Sequence, residues 1–187
     1  MNSYHLPKSI KIKDKDIEIF SDYRDILELF KPLNDPDLLE FEKITVALGM
    51  FYKTDDYLVD IDAATKEMFS FITMNNDFAD DDKSTKQEKP LYDWDKDFNI
   101  IVAPINKILG YDVRGVEYLH WWTFLSAFME IGECTFSTYV GIRNKLNKGK
   151  KLEKWEEQIL KENRDKIIIK TKVDSTTQAL MDEIMGI

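Results

Sequence analysis

Cysteine occurs once in these 187 residues, histidine twice, proline five times and glycine seven times. A lone Cys134 cannot close a disulfide within its own chain and suits a reducing cytosol. The two histidines, His5 and His120, lie far apart, and no Cys-x-x-Cys or His-Glu-x-x-His spacing exists to supply a metal set. There is no glycine-rich phosphate loop, and the shortage of glycine and proline favours helices over a many-turned sandwich. No apolar run approaches the roughly 18–20 residues of a membrane span. Residues Met1 to Pro7 lack the apolar core of a secretory signal, so none is expected. Basic residues are also few, 26 against 35 acidic, giving a formal net charge of −9. Affinity for nucleic-acid backbones needs clustered Lys and Arg, so the partners expected are neutral or basic ones instead.

What is present is 43% hydrophobic and 33% charged sequence, enough for a core without staples. Ile10, Ile12, Ile17 and Ile19 alternate with polar residues, the pattern of two half-buried strands joined through Asp14 to Asp16. Their apolar face must pack on the next segment of the chain, or their edge must pair with another chain. Helical spacing then takes over. Ser21 is placed to cap a helix through Tyr23, Ile26 and Phe30, ended by Lys31 and Pro32. Asp35 and Pro36 signal a second start, leading into Phe41, Ile44, Leu48 and Phe51 on one face. A third helix is expected over 58–73, with Ile61, Thr65, Met68 and Ile72 along its face.

The run 75–90 holds almost nothing apolar and reads as a flexible polar linker; Asp80 to Asp82 lack the spacing of a calcium loop. Asp93 is a cap for a helix bearing Trp94, Phe98, Ile101, Ile105 and Ile108, in which Pro104 should kink or split the rod and Gly110 should stop it. The densest apolar stretch runs from Glu117 to Met129. There His120 could be a base or ligand, but a structural histidine is the simpler reading. Trp121 and Trp122 could form a stacking platform, but core packing explains them too. Cys134 has no nucleophile partner and reads as a small packed residue. Next come a short helix over 135–146, a basic turn from Asn147 to Lys151 and a charged helix from Leu152. That last helix carries Glu157 with Lys161, and Glu162 with Lys166, as i,i+4 pairs. The segment from Ser175 to Ile187 is amphipathic, and Leu180, Met181, Ile184 and Met185 either dock back on the domain or contact another protein. The whole reads as one mainly α domain, 1–187, with a small N-terminal β-hairpin. It comprises hairpin plus helices over 1–74, the linker over 75–90, a helical core over 91–170 and a tail over 171–187.

Leu6 and Pro7, the hairpin and Ser21-Asp22-Tyr23-Arg24 resemble the N-terminus of the bacteriophage gene-product-fifteen family. Tyr92 to Asp97, with Asp93 and Trp94, resembles that family's signature more specifically, as does Tyr118 to Phe124, with Leu119, His120, Trp121, Trp122 and Phe124. Tyr139 to Asn144 also fits. The resemblance covers about residues 6 to 170. It implies a protein of tailed phages and prophages of Gram-positive bacteria, encoded among tail-morphogenesis genes. The role it implies is a tail assembly chaperone for the tape-measure protein, with the tail tube protein as a further partner. Such a chaperone would work in the host cytoplasm and be absent from the mature virion. A structural tail or connector protein and a host-directed binding module are the alternatives. The family has no assigned catalytic residues, so none is carried over; a non-enzymatic protein is expected, without cofactor or metal, and the charge and the short apolar runs noted above leave no nucleic-acid or membrane partner expected. Self-association stays open.

Overall fold

The computed structural model describes residues 5–74 and 89–169. They form a mainly α-helical protein with one small hairpin. The linker expected over 75–90 lies outside the described residues except for Lys89 and Pro90, and so does the tail carrying Leu180, Met181, Ile184 and Met185. The described chain divides into two compact units, one taking residues 5–74 and Ile105–Glu130, the other 89–104 and 131–169.

The first unit opens with β1 (Ser9–Ile12) and β2 (Lys15–Glu18), paired antiparallel with Ile10 opposite Ile17. The connection is the two residues Lys13 and Asp14, one step earlier than the Asp14-to-Asp16 loop the sequence suggests. Lys13 takes a φ of +54°, as the primed turns that match strand twist require at that place. All four isoleucines are at most 2% exposed, so the apolar face packs inward. The hairpin is extended by an isolated bridge between Ile19 and Tyr52.

Helix α1 (Tyr23–Leu33) is capped by Asp22 rather than Ser21, because the Asp22 carboxylate accepts the Arg24 N–H at 2.9 Å. Pro32 does not end it. The helix runs one residue further, since a proline in the last turn removes a single backbone bond that a short extension can bear. Asp35 and Pro36 do not start α2 (Glu40–Phe51). Asp35 closes a local turn by accepting the Asp37 N–H, and the helix begins where Glu42 reaches back to the Leu39 N–H at 2.8 Å. Ala47, Leu48 and Phe51 face the core, while Phe41, on the first turn, is 67% exposed. A 3-10 turn (Asp55–Val59) precedes α3 (Ile61–Ile72), which Asp60 caps through the Ala63 N–H. Asp60 breaks the single helix expected over 58–73, and Ile61 at the new start is exposed. The unit is completed by the end of α4 (Trp94–Leu109), a 3-10 turn (Val113–Gly115) and α5 (Trp121–Met129).

Pro104 sits inside α4 without splitting it, at the point where the chain passes from one unit to the other. Gly110 comes next with φ +81°, a residue free to adopt the left-handed turn that stops a helix.

The second unit packs α6 (Thr135–Asn147), α7 (Lys154–Glu162) and α8 (Arg164–Ile167) with the first part of α4. Tyr139, Ile142 and Ile167 are its core, joined by Ile100, Leu152, Ile159 and Leu160. Lys150 N–H to the Lys145 carbonyl and Gly149 N–H to the Leu146 carbonyl close α6 in a paired C-terminal turn, with Gly149 left-handed. The expected Glu162–Lys166 pair fails because the helix breaks at Asn163 and places the two residues on separate helices.

Candidate protein-binding surface

The Leu-His-Trp-Trp stretch does not run as one long helix from Glu117. His120 is the N-cap of α5, and its Nδ1 accepts the Trp122 N–H at 3.0 Å. Its other nitrogen meets the Pro7 carbonyl at 2.9 Å, which can only accept, so Nε2 carries the proton and the ring is neutral. The segment beside it is clasped to the start of α1. Asp22 and His120 form an antiparallel bridge, Tyr23 N–H donates to the Leu119 carbonyl, and Trp121 N–H donates to the Ser21 carbonyl. The second Asp22 oxygen accepts the Leu119 N–H, across 97 residues of sequence. Arg24 adds bonds to the carbonyls of Val113, Val116 and Glu117.

The tandem tryptophans have a related task. The last carbonyls of a helix lack intrahelical partners. At the end of α3 the Trp122 indole N–H donates to the Phe71 carbonyl at 2.8 Å, and the Trp121 indole N–H donates to the Ile72 carbonyl at 2.9 Å. Trp121 is 1% exposed and stacks on Phe124, which stacks on Tyr23. Asp93 and Trp94 belong to the second unit. There Asp93 caps α4 through the Lys96 N–H and Trp94 meets Tyr92 edge-on. Asp97, which the sequence suggests only as a first-turn acid, is instead buried in a two-pronged ion pair with Arg143, at 2.6 and 2.9 Å. Arg143 also donates to the carbonyls of Leu91, Lys166 and Ile167. Among the described residues every buried side-chain nitrogen and oxygen has a partner.

The neutral His120 carries a pH dependence. Burial holds its pKa below the ordinary 6.5, with the Lys8 charge acting the same way and the bond to Pro7 opposing. The unfolded chain therefore takes up this proton first. Stability from His120 is complete above about pH 6.5 and is lost as pH falls from there through the depressed folded value. Thermal melts should show Tm declining between about pH 7 and 5. His120→Asn keeps a capping acceptor but cannot titrate, and should flatten that decline.

The signature's polar groups are thus engaged within the fold, by backbone or, for Asp97 and Arg143, by each other, and large apolar side chains are left on the surface. Exposed large apolar side chains among the described residues lie mostly in the first unit, including Leu39, Phe41, Leu58, Ile61 and Met129; the second unit has Tyr92, Leu146 and Trp155. The first unit also holds a groove of about 430 Å³. Its lining is mostly apolar, from Leu6, Met74, Ile108, Leu109, Trp122 and Ala127, together with Thr123, Ser126 and Glu130. Neither Leu6 nor Met74 is helical, and only the folded chain brings them beside α4 and α5.

A sequence profile of the bacteriophage Gp15 protein family matches residues 3–167. The chain belongs to that family. No curated protein and no solved structure shows a significant match to it. In this Gp15 protein two of the segments that carry the resemblance in the first unit, Ser21 to Arg24 and Leu119 to Phe124, are the two halves of the clasp between α1 and α5. Among the described residues no helix is long and apolar enough to cross a membrane.

Proposed function

We propose that this Gp15 protein is a non-enzymatic tail assembly chaperone that holds the tape-measure protein before the tail tube encloses it. The observation that carries the reading is the apolar groove and exposed apolar surface of the first unit, in a chain of net charge −9. A long helical client exposes apolar stripes that aggregate unless covered, and amphipathic surfaces of this kind accept helices. High charge of one sign keeps the loaded chaperone apart from its neighbours. Binding per copy need only be modest, because several copies along one client act together and tube subunits must later displace them. The non-enzymatic part of the reading is supported by His120, whose two nitrogens are both engaged by backbone. The protein would act in the bacterial cytoplasm and leave before the particle matures.

Mass spectrometry of purified particles tests this. A chaperone is expected in infected-cell lysate and absent from washed virions. Recovery at a fixed copy number per virion would instead establish a structural tail or connector part.

A further inference from the structure

The groove in the first unit limits what can fill it. Its walls are apolar faces of helices and two non-helical side chains, with no free strand edge among the lining residues. The Ser126 hydroxyl already donates to the Trp122 carbonyl. An extended peptide would therefore bury backbone groups without partners, whereas a helix satisfies its own. One lining residue is charged. Glu130 is the C-cap of α5, so its carboxylate sits at the end of the helix where the dipole is already negative. That is the unfavourable sign for α5 itself, and Glu130 makes no ion pair among the described residues. A second anomaly lies in the same lining, where the Ser126 hydroxyl also meets the Met74 sulfur at 3.9 Å. Met74 comes directly after the C-cap of α3 with φ +54°, a position where glycine is unstrained and methionine is not, and its side chain lines the groove.

Resting on the reading of a helical client, we propose that this groove takes an amphipathic helix whose apolar face ends in a lysine or arginine, the cation pairing with Glu130 and the α5 C-terminus. Glu130 then sets the direction in which the client helix lies, and Met74 is kept for its adaptable contact.

The probes are two synthetic helical peptides with the same leucine and alanine face, one ending in two lysines and the other in two glutamates, titrated into the full chain. The lysine peptide should bind about tenfold tighter at low salt, and the preference should shrink as salt rises. Glu130→Gln should shrink the preference several-fold and Glu130→Lys should shrink it further, leaving only the part owed to the overall negative charge. Met74→Gly should keep or raise Tm, which shows that the fold is intact, yet weaken both peptides several-fold. Equal affinities, no binding by either peptide, or a preference unmoved in Glu130→Lys would overturn the proposal. If the tape-measure protein still copurified in that case, the chaperone reading would stand and its client would use another surface.

Discussion

Replacing Arg143 with methionine should cost about 3–5 kcal/mol of stability, because it leaves the Asp97 carboxylate buried without a counter-charge. The two side chains are 4% and 2% exposed, so water cannot take over the lost bonds. The substitution also strips donors from the carbonyls of Leu91, Lys166 and Ile167, which tie the entry of α4 and the short α8 to α6. Urea titration monitored by circular dichroism reads the loss as a fall in midpoint. Removing both charges, as Asp97→Leu with Arg143→Met, should recover part of it, since the desolvation cost of the pair goes with its attraction. A single substitution that leaves the midpoint unchanged would mean that the pair does not hold the second unit together.

Trp121→Ala should be as severe, again about 3–5 kcal/mol, as expected for deleting a buried indole from a packed core. Three losses combine: the volume beside Phe124 and Phe30, the ring stacking, and the indole donor to the Ile72 carbonyl at the end of α3. Trp121→Phe should cost less, about 1–3 kcal/mol, because an aromatic ring remains and mainly the buried hydrogen bond is lost. Differential scanning calorimetry separates the two. If Trp121→Ala kept Tm but abolished client binding, the tandem tryptophans would be a recognition device and not a clasp.

Much of this architecture is legible in periodicity. The isoleucine alternation locates both strands, and Gly110 marks the end of α4, because each rests on a local rule that the tertiary structure has no reason to override. Local rules fail where a neighbour distant in sequence supplies the partner. Ser21 and Asp22 are equally good caps by residue type. Asp22 wins because its second oxygen also takes the Leu119 N–H. Phe41 keeps the helical phase of Leu48 yet faces solvent, since phase says which side a residue occupies and not how far the core extends along it. By sequence Asp97 is one more acid in a first turn. The signal that it differs lies in the scarcity of arginine, four of the 26 basic residues. Arg24 and Arg143 are both used where a planar fork must gather several carbonyls or a carboxylate, a task lysine performs poorly. The groove leaves no trace in any one segment. Leu6, Met74, Ile108 and Ala127 come from four places in the chain, and Met74 reveals itself only through a backbone angle.

On the proposed function, the first unit holds another protein's apolar helix. Co-expression of the full chain with the adjacent tail genes, then native mass spectrometry of whatever copurifies, tests it most directly. The account predicts a complex carrying one or more copies of this protein on the tape-measure protein, and Ala127→Glu, which places a charge in the groove wall, should shed those copies. A tape-measure protein that stays soluble and purifies free of this chain would contradict it.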